Sequence, residues 1–208
     1  MISNVAIKPI CENQIDDSVA VFLDAFKEEA FTSSWLDLGN EKIKKTYARA
    51  VKMKFKLALD LGNLFLVADE DCRIVGFALL VQPDRKAGFM TVLKHALPHI
   101  PYLLFLLPHF MKAIRLIPAI KLPANLPPDH HLLEVLAVSP SFQGRKIGRM
   151  LLEEVITAGI ANKKTLGIYL LTGDHKNMLI YKKIGFDLLE ERIKNGFRSY
   201  HMFLRNEA

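Results

Sequence analysis

The sequence predicts an α/β fold with three layers, in which helices flank a mixed, mostly antiparallel central sheet of about seven strands. Seven short apolar runs rich in branched residues have the length of strands, and longer segments between them carry apolar residues at helical spacing. Two pairs of neighbouring strands are joined by short polar turns, which favours antiparallel pairing. Half of the 208 residues are hydrophobic, so we expect a single domain, residues 1–208, with a sizeable core.

The N-terminal half is predicted to run strand, helix, helix, strand, strand. The first helix is expected to begin at Asp16 and Asp17, and the second begins just after Asn40. The apolar face of the first helix is expected to carry Val19, Phe22, Phe26 and Ala30. The strands of this half are expected at residues 5–10, 64–68 and 74–81, the last two forming a hairpin.

An apolar insertion, residues 87–122, separates the third and fourth strands. Residues 95–110 carry no formal charge, but they contain three prolines and are barely long enough for a membrane span. We therefore expect a packed helical insertion and no transmembrane span. Because basic residues flank the insertion, a peripheral contact with a membrane surface remains an alternative. They are Arg85, Lys86, Lys94, Lys112 and Arg115.

The C-terminal half is predicted to alternate strands and helices before it closes in a hairpin. A helix begins near Lys146, and a later short helix is stopped by Gly185, with Leu179 and Ile180 facing the core. The strands of this half are expected at residues 134–138, 168–172, 187–192 and 197–204, the last two joined by the turn signal Asn195-Gly196.

Charge and cysteine content limit the classes of function. The net charge of +6 suits an anionic ligand, but no Lys/Arg tract with interleaved aromatic residues points to nucleic acid. Cys11 and Cys72 do not make a disulfide framework, and the N-terminus lacks a signal peptide, so a cytoplasmic location is expected. His95 and His99 are four residues apart without a nearby carboxylate or cysteine, so no metal site is expected. The oligomeric state is left open.

A basic turn that contains glycine joins the fourth strand to its helix. It reads Gln143-Gly144-Arg145-Lys146-Ile147-Gly148-Arg149. Free amides at a helix N-terminus and the helix dipole attract anions, while glycine lets the main chain approach a ligand closely. The pattern therefore favours a phosphate site over a purely structural turn. A dinucleotide fingerprint and an NTPase loop are not expected, because neither G-x-G-x-x-G nor Gly-Lys-Ser/Thr is present.

Residues 143–148, after an apolar strand, resemble the acetyl-CoA pyrophosphate loop of the GNAT superfamily of N-acetyltransferases, written Gln/Arg-x-x-Gly-x-Gly/Ala. The sequence departs from this pattern at Lys146, where the family has glycine. If the backbone there needs a positive φ, lysine costs on the order of 1 kcal/mol. Residues 177–186 resemble the family's second signature, Asn-x-x-x-Tyr-x-x-x-Gly-Phe. The resemblance extends over nearly the whole chain and is most specific at residues 132–186.

The resemblance implies an acetyl-CoA-dependent N-acetyltransferase that releases CoA. It implies that Tyr181 faces the thioester sulfur as general acid, and that Asn177 bonds the cofactor's arm or holds the helix of Tyr181. Main-chain groups of the fourth strand would pair with the cofactor as another strand does. The cofactor-binding residues expected are Leu136, Ala137, Val138, Gln143, Gly144, Arg145, Lys146, Ile147, Gly148, Arg149, Asn177 and Tyr181.

Acetyl transfer to an amine also needs a group that accepts the amine's proton. Glu134 is the candidate, because strand alternation places it with Leu132, Leu136 and Val138, and apolar neighbours make a carboxylate a stronger base. A water relay or His130 are alternatives. The structural alternative for Glu134 is an ion pair with a surface lysine.

The acceptor is expected to be a small-molecule amine, because the insertion resembles one that walls the acceptor pocket in a GNAT subgroup. Candidate substrate contacts are Phe26, Trp35 and His130, the last because that subgroup often has histidine there. Two alternatives stay open: a protein lysine or N-terminal amine as acceptor, and a non-catalytic domain that binds acyl-CoA.

Overall fold

A computed structural model describes residues 5–85 and 87–206 and centres on one seven-stranded sheet. The strands are β1 (Val5–Pro9), β2 (Leu64–Glu70), β3 (Arg73–Val81), β4 (His131–Val138), β5 (Gly167–Thr172), β6 (Asp187–Lys194) and β7 (Phe197–Arg205). Their order in the sheet is β1-β2-β3-β4-β5-β7-β6. Only β4 and β5 run parallel among these strands, so the predicted mixed, mostly antiparallel sheet is confirmed. Lys86, one of the basic flanks of the insertion, lies outside the described residues.

Helices cover both faces of the sheet. They are α1 (Ile15–Phe26), α2 (Ala30–Ser33), α3 (Glu41–Asp60), α4 (Phe89–Ala96), α5 (Ile100–Ala113), α6 (Ile117–Ile120), α7 (Ile147–Ala161) and α8 (His175–Ile184). Apolar side chains of α1, α3 and α5 form one buried cluster with one face of the sheet, while α7 and α8 form a second cluster on the other face. The three predicted layers follow from these two clusters.

Local capping explains where the first helices begin and end. The side chain of Asn40 accepts hydrogen bonds from the amides of Lys42 and Ile43, so α3 begins where the sequence predicted. The extension of α1 to Ala30 was wrong. The chain leaves α1 after Phe26, and the carboxylate of Glu29 caps a new short helix, α2, which begins at Ala30.

Both predicted hairpins are present, and each has the backbone that a tight two-residue turn requires. Asp71 and Cys72 join β2 to β3 with φ of 51° and 63°. Asn195 and Gly196 join β6 to β7 with φ of 53° and 78°. Positive φ at both central residues matches the right-handed twist of the flanking strands, which is why Asn-Gly predicts such a turn well.

Aromatic rings dominate the core beneath α1 and α3. Phe55 of α3 is fully buried, and its ring meets those of Phe22, Phe65 and Phe77 at centroid distances of 5.9, 5.1 and 5.2 Å in edge-to-face geometry. This packing joins α1 and α3 to the centre of the sheet.

The insertion folds as a nearly continuous helical run, α4 to α6, packed against α3. On its inner side Leu106 is fully buried, and Phe110 stacks on Trp35 with ring centroids 5.2 Å apart. By length and composition alone, the run Phe89–Ile120 is apolar enough to cross a membrane, and 17% of its most apolar window is buried. The predicted helical insertion between β3 and β4 is confirmed.

Candidate functional site

The sheet opens between its two parallel strands. β4 pairs with β5 only at His131, Leu132 and Leu133, the last opposite Leu170. Beyond that point β4 continues to Val138 while no further pair with β5 forms among the described residues. Apart from the Val138 carbonyl, which accepts from Gln143, the main-chain groups of residues 134–138 that face β5 are therefore available to a ligand, since a strand edge offers a row of donors and acceptors.

A β-bulge lies where the opening begins. Leu79 of β3 pairs with Val135 and the next residue, Leu80, pairs with Leu133, so Glu134 is the extra residue of β4. An extra residue reverses the alternation of side chains after it. Leu133 and Leu136, three residues apart, accordingly share the α7 side of the sheet.

The bulge corrects the predicted side for Glu134. Its carboxylate forms an ion pair with the ammonium of Lys54 in α3, with Nζ 2.9 Å from Oε1, so it points to the face of α1 and α3. It does not share a face with Leu136 and Val138, because those side chains pack on the opposite face. The carboxylate of Glu134 thus has a cation beside it and not only apolar neighbours. The ion pair with a surface lysine, which was the structural alternative to a role as base, is present.

Lys146 occupies the backbone conformation that glycine favours. Its φ is 63° and its ψ is 10°, which is the left-handed region, and it is the N-cap residue of α7. The backbone at Lys146, where the family has glycine, therefore does have the positive φ at which lysine is unfavourable. Lysine carries no acceptor, and the N-cap side chain makes no capping bond. The first amides of α7 therefore keep their ability to bind an anion.

Gly144 gives the turn before α7 its second left-handed residue, with φ of 79°. A Cβ atom there would meet nothing within 4 Å, so the space beside the main chain is open. Ile147 is buried and anchors the helix start, while Gly148 lies in its first turn. Open amides beside an open space fit a pyrophosphate group.

The other predicted side chains of the turn already have partners. Gln143 donates from Nε2 to the carbonyl oxygen of Val138 at 3.3 Å. Arg145 donates from Nη1 to Oε2 of Glu70 at 3.0 Å, and a second contact makes this pair bidentate. Arg149 donates from Nε to Oε1 of Glu153 at 2.7 Å. Arg145 thus fixes the turn to the end of β2, and Arg149 remains 67% exposed at its side chain.

Tyr181 lies on the inner side of α8. Its ring is half-buried and packs on Phe186 with centroids 5.6 Å apart, in the cluster that also holds Leu136 and Val138. Burial, with a smaller contribution from Asp174, raises the pKa of the Tyr181 phenol to about 12. The hydroxyl therefore stays protonated at neutral pH and can donate a proton.

The rest of α8 differs from the prediction. Leu179 and Ile180 are 45% and 52% exposed, because the helix instead buries Met178 and packs Tyr181 inward at a spacing of three residues. Asn177 is exposed in the first turn. Its backbone N–H donates to the carboxylate of Asp174, which is the N-cap residue of α8, so the side chain of Asn177 is not the capping group.

A groove between α7 and α8 contains a residue that the sequence did not single out. Its volume is about 380 Å³, and Arg149, Ile180 and Lys183 line it together with Glu153 and Ile184. Lys183 adds a second cation beside Arg149, next to the N-terminus of α7. The sequence shows two adjacent basic residues, Lys182 and Lys183, but which of them faces the groove depends on the rotation of α8.

The predicted acceptor contacts Phe26 and Trp35 lie in the cluster on the face to which Glu134 points. Phe26 stacks on Phe22 with centroids 4.5 Å apart. Trp35 is buried between Phe110 of the insertion and Tyr47 of α3. Its indole Nε1 has no hydrogen-bond partner in the described part of the chain. The insertion therefore does pack over this aromatic side.

His130 lies away from the opening. It precedes the paired end of β4, four residues before Glu134, which is about 13 Å along a strand. Its Nδ1 donates to the carbonyl oxygen of Pro127 at 2.7 Å, and its ring meets the edge of Tyr169. The phenol of Tyr169 in turn bonds His201 at 2.7 Å. This position makes His130 a weaker candidate than Glu134 for the base.

No three His, Cys, Asp or Glu residues come together as a metal site within residues 5–85 and 87–206. His95 instead bonds the carboxylate of Asp60 at 2.7 Å; the hydrogen bond of its ring to the carbonyl oxygen of Thr91, and then this contact with Asp60, raise the pKa of the histidine. Cys11 and Cys72 are both exposed and outside any disulfide.

Comparison with known protein families gives one match. Residues 24–186 match the model of a family described as acetyltransferase (GNAT) family. A search of the curated proteins finds no match to the sequence.

Solved structures share the fold over nearly the whole chain. One from Corynebacterium glutamicum, described as histone acetyltransferase HPA2 and related acetyltransferase, is 19% identical with a TM-score of 0.68, over 98% of this chain and 97% of that one. An N-acetyltransferase from Staphylococcus aureus is 11% identical with a TM-score of 0.62, over 99% and 100%. A GNAT family acetyltransferase from Brucella melitensis in complex with acetyl-CoA is 14% identical with a TM-score of 0.54, over 99% and 90%.

Proposed function

This chain belongs to the GNAT family of acetyltransferases, and we propose that it transfers the acetyl group of acetyl-CoA to the primary amine of a small molecule by direct attack in a ternary complex. The family resemblance predicted from the two motifs is confirmed, and the cofactor is acetyl-CoA. The nature of the acceptor and the roles of individual residues are the proposal.

The observation that carries the proposal is the opening between β4 and β5. Among the described residues, the edge of β4 at Leu136, Ala137 and Val138 has no strand partner on the β5 side, so its main-chain groups, apart from the Val138 carbonyl that accepts from Gln143, can pair with the cofactor's extended arm. The turn at Gly144 and Lys146 lies at the end of the same strand and can hold the pyrophosphate. Strand edge and turn follow one another along the chain, so one extended ligand can lie across both.

We assign the two proton transfers to side chains on opposite faces of the sheet. Acetyl-CoA supplies the acetyl group as a thioester. Tyr181 donates its phenolic proton to the departing sulfur from the α8 side, since its pKa of about 12 keeps it protonated. Glu134 accepts a proton from the acceptor amine on the α3 side, and an amide of β4 donates to the carbonyl oxygen as negative charge develops on it.

Lys54 supports a primary amine as the acceptor. Its ammonium lies 2.9 Å from the carboxylate of Glu134, so a primary ammonium group fits there sterically and electrostatically. An acceptor amine that reaches Glu134 would take the place of this ammonium. Lys54 is 46% exposed at its side chain, so it can turn into solvent.

The insertion supports a small acceptor. Phe110 covers Trp35, and Trp35 contacts Tyr47 and Phe31, so the α1 side of the sheet is walled by aromatic rings. A protein substrate needs an open surface, whereas this wall favours a compact molecule with an apolar part.

A library of amines, with basic peptides included, tests the proposal when free thiol released from acetyl-CoA is measured. We expect turnover with one class of small amine, and Tyr181→Phe should lower kcat by about a hundred-fold with acetyl-CoA affinity nearly unchanged. Tyr102→Phe, in the insertion, is the matched control and should keep full activity. Turnover with peptides alone would refute the small acceptor, and binding of acetyl-CoA without any turnover would favour a non-catalytic domain.

A further inference from the structure

The outer side of the helical insertion is an apolar surface exposed to solvent. Leu104 and Met111 are 62% and 59% exposed, and Phe89, at the start of α4, is 78% exposed. On α5 and at the residue just after it, five exposed large apolar residues recur at spacings of four and three, which places them on one side of the helical run, with the exposed Phe105 beside them. They are Ile100, Leu104, Leu107, Met111 and Ile114.

Every formal charge in the insertion is positive. The sequence has no Asp or Glu between Asp84 and Asp129. Within this interval Lys94 in α4, Lys112 in α5 and Arg115 just after α5 are all exposed. The apolar surface is therefore bordered by cations and by no carboxylate of its own segment.

The neighbouring helix α3 adds cations along one edge of the insertion. A groove of about 610 Å³ separates the two, and on the α3 side it is lined by Lys42, Lys45 and Arg49 with one carboxylate, Glu41. Arg49 lies over the ring of Tyr102 at 4.0 Å, and Lys42 lies over the ring of Phe105 at 4.7 Å. These cation–π contacts hold α3 charges next to the exposed apolar side chains.

We propose that this surface docks the protein on an anionic lipid bilayer. Apolar side chains at the outer side of α5 enter the boundary between headgroups and acyl chains, while the surrounding ammonium and guanidinium groups meet lipid phosphates. The proposal is independent of the acceptor, and it requires the insertion to lie on the bilayer rather than within it.

The charge pattern favours lipid over a second copy of the chain. Two such surfaces placed face to face would bring cations together with no carboxylate from either insertion to meet them, which is unfavourable. An anionic lipid surface has the complementary charge.

Anchoring of the insertion favours docking over crossing. The carbonyl oxygen of Ala119 in α6 accepts bonds from the buried Ser199 at 2.7 Å and from Nε2 of His201 at 3.0 Å. Asn195 bonds the carbonyl oxygen of Arg115, and Phe110 stacks on Trp35. A transmembrane arrangement would break all of these contacts, whereas docking keeps them.

Co-sedimentation with vesicles of phosphatidylcholine, with and without phosphatidylglycerol, tests the proposal on the full chain. We expect binding to the anionic vesicles that weakens several-fold at high salt, because the Debye length shortens. Leu104→Asp should weaken this binding about ten-fold or more, since an apolar contact is lost and a negative charge enters the boundary. Ile160→Asp is the matched control, because Ile160 is exposed on α7 on the opposite side of the sheet.

A second variant separates charge from apolar contact. The double substitution Lys112→Glu with Arg115→Glu should abolish the preference for anionic vesicles while the melting temperature and acetyl-CoA affinity stay unchanged. Equal binding of wild type and Leu104→Asp would overturn the proposal, as would absence of binding to anionic vesicles. Dimerisation in solution that Leu104→Asp abolishes, without vesicle binding, would also overturn it and assign the surface to a second copy.

Discussion

Replacing Lys146 by glycine should change stability and cofactor affinity in opposite directions. Lys146 has φ of 63°, in the left-handed region where a side chain costs about 1–2 kcal/mol. Glycine removes this cost, but it adds about 0.5–1 kcal/mol of backbone entropy to lose on folding. The difference leaves Lys146→Gly more stable by about 0.5–1 kcal/mol. In a chain of this size that raises Tm by about 1–4 °C.

Affinity should fall because the substitution also removes an ammonium from the turn. Lys146 is exposed, so its attraction to a bound pyrophosphate is screened by water and contributes about 0.5–1 kcal/mol, or a two- to five-fold change in Kd. Lys146→Ala is the matched control. Alanine keeps the backbone cost and removes the charge, so it should lose the same affinity without the gain in Tm.

Titration calorimetry with acetyl-CoA at low and high salt, beside thermal melts, measures both effects. The three proteins should converge in affinity at high salt, where the charge is screened. A lower Tm for Lys146→Gly would refute the backbone argument. Equal low-salt affinity of wild type and both variants would show that the ammonium contributes nothing to the phosphate site.

The core, the base and the buried phenols give further predictions. Phe55→Ala, which leaves a cavity among three rings, should lower the free energy of unfolding by about 3–5 kcal/mol in urea titrations, and a loss under about 1 kcal/mol would contradict the packing. Glu134→Gln should lower kcat/KM about a hundred-fold with acetyl-CoA affinity kept, and an unchanged pH–rate profile would eliminate this base. Burial raises the pKa of Tyr47 and Tyr181 from 10.0 to about 12, so the unfolded chain releases these protons first and stability should fall as pH rises through this interval. Urea midpoints across that interval should fall less in Tyr181→Phe than in wild type, and an equal fall would contradict the shift.

Features set by neighbouring residues could be predicted from the sequence. Asn195-Gly196 and Asn40 act within a few residues of themselves, and both are where the pattern placed them. The bulge at Glu134 could not be predicted, since it depends on the register between β4 and β3 and leaves no local signal. The outward direction of Ile180 likewise depends on how α8 is rotated against the sheet. Turn and cap chemistry and the layers of the fold were predictable here, whereas the register shift in β4 and the rotation of α8 were not.

The bulge matters more for the proposed chemistry than the identity of any single cofactor contact. In a strand without it that kept Leu136 on the α7 and α8 face, Glu134 would share that face with Leu136 and Tyr181, and Leu133 would turn to the other face. Base and acid would then lie on one side of the sheet, where a carboxylate close to the phenol would compete for its proton. The extra residue turns Glu134 toward Lys54 and coincides with the end of pairing between β4 and β5. One register shift thus lies where the gap begins and separates the two proposed proton transfers, so a homologous chain that keeps Glu134 and the side of Leu136 but lacks the bulge should not use it as the base.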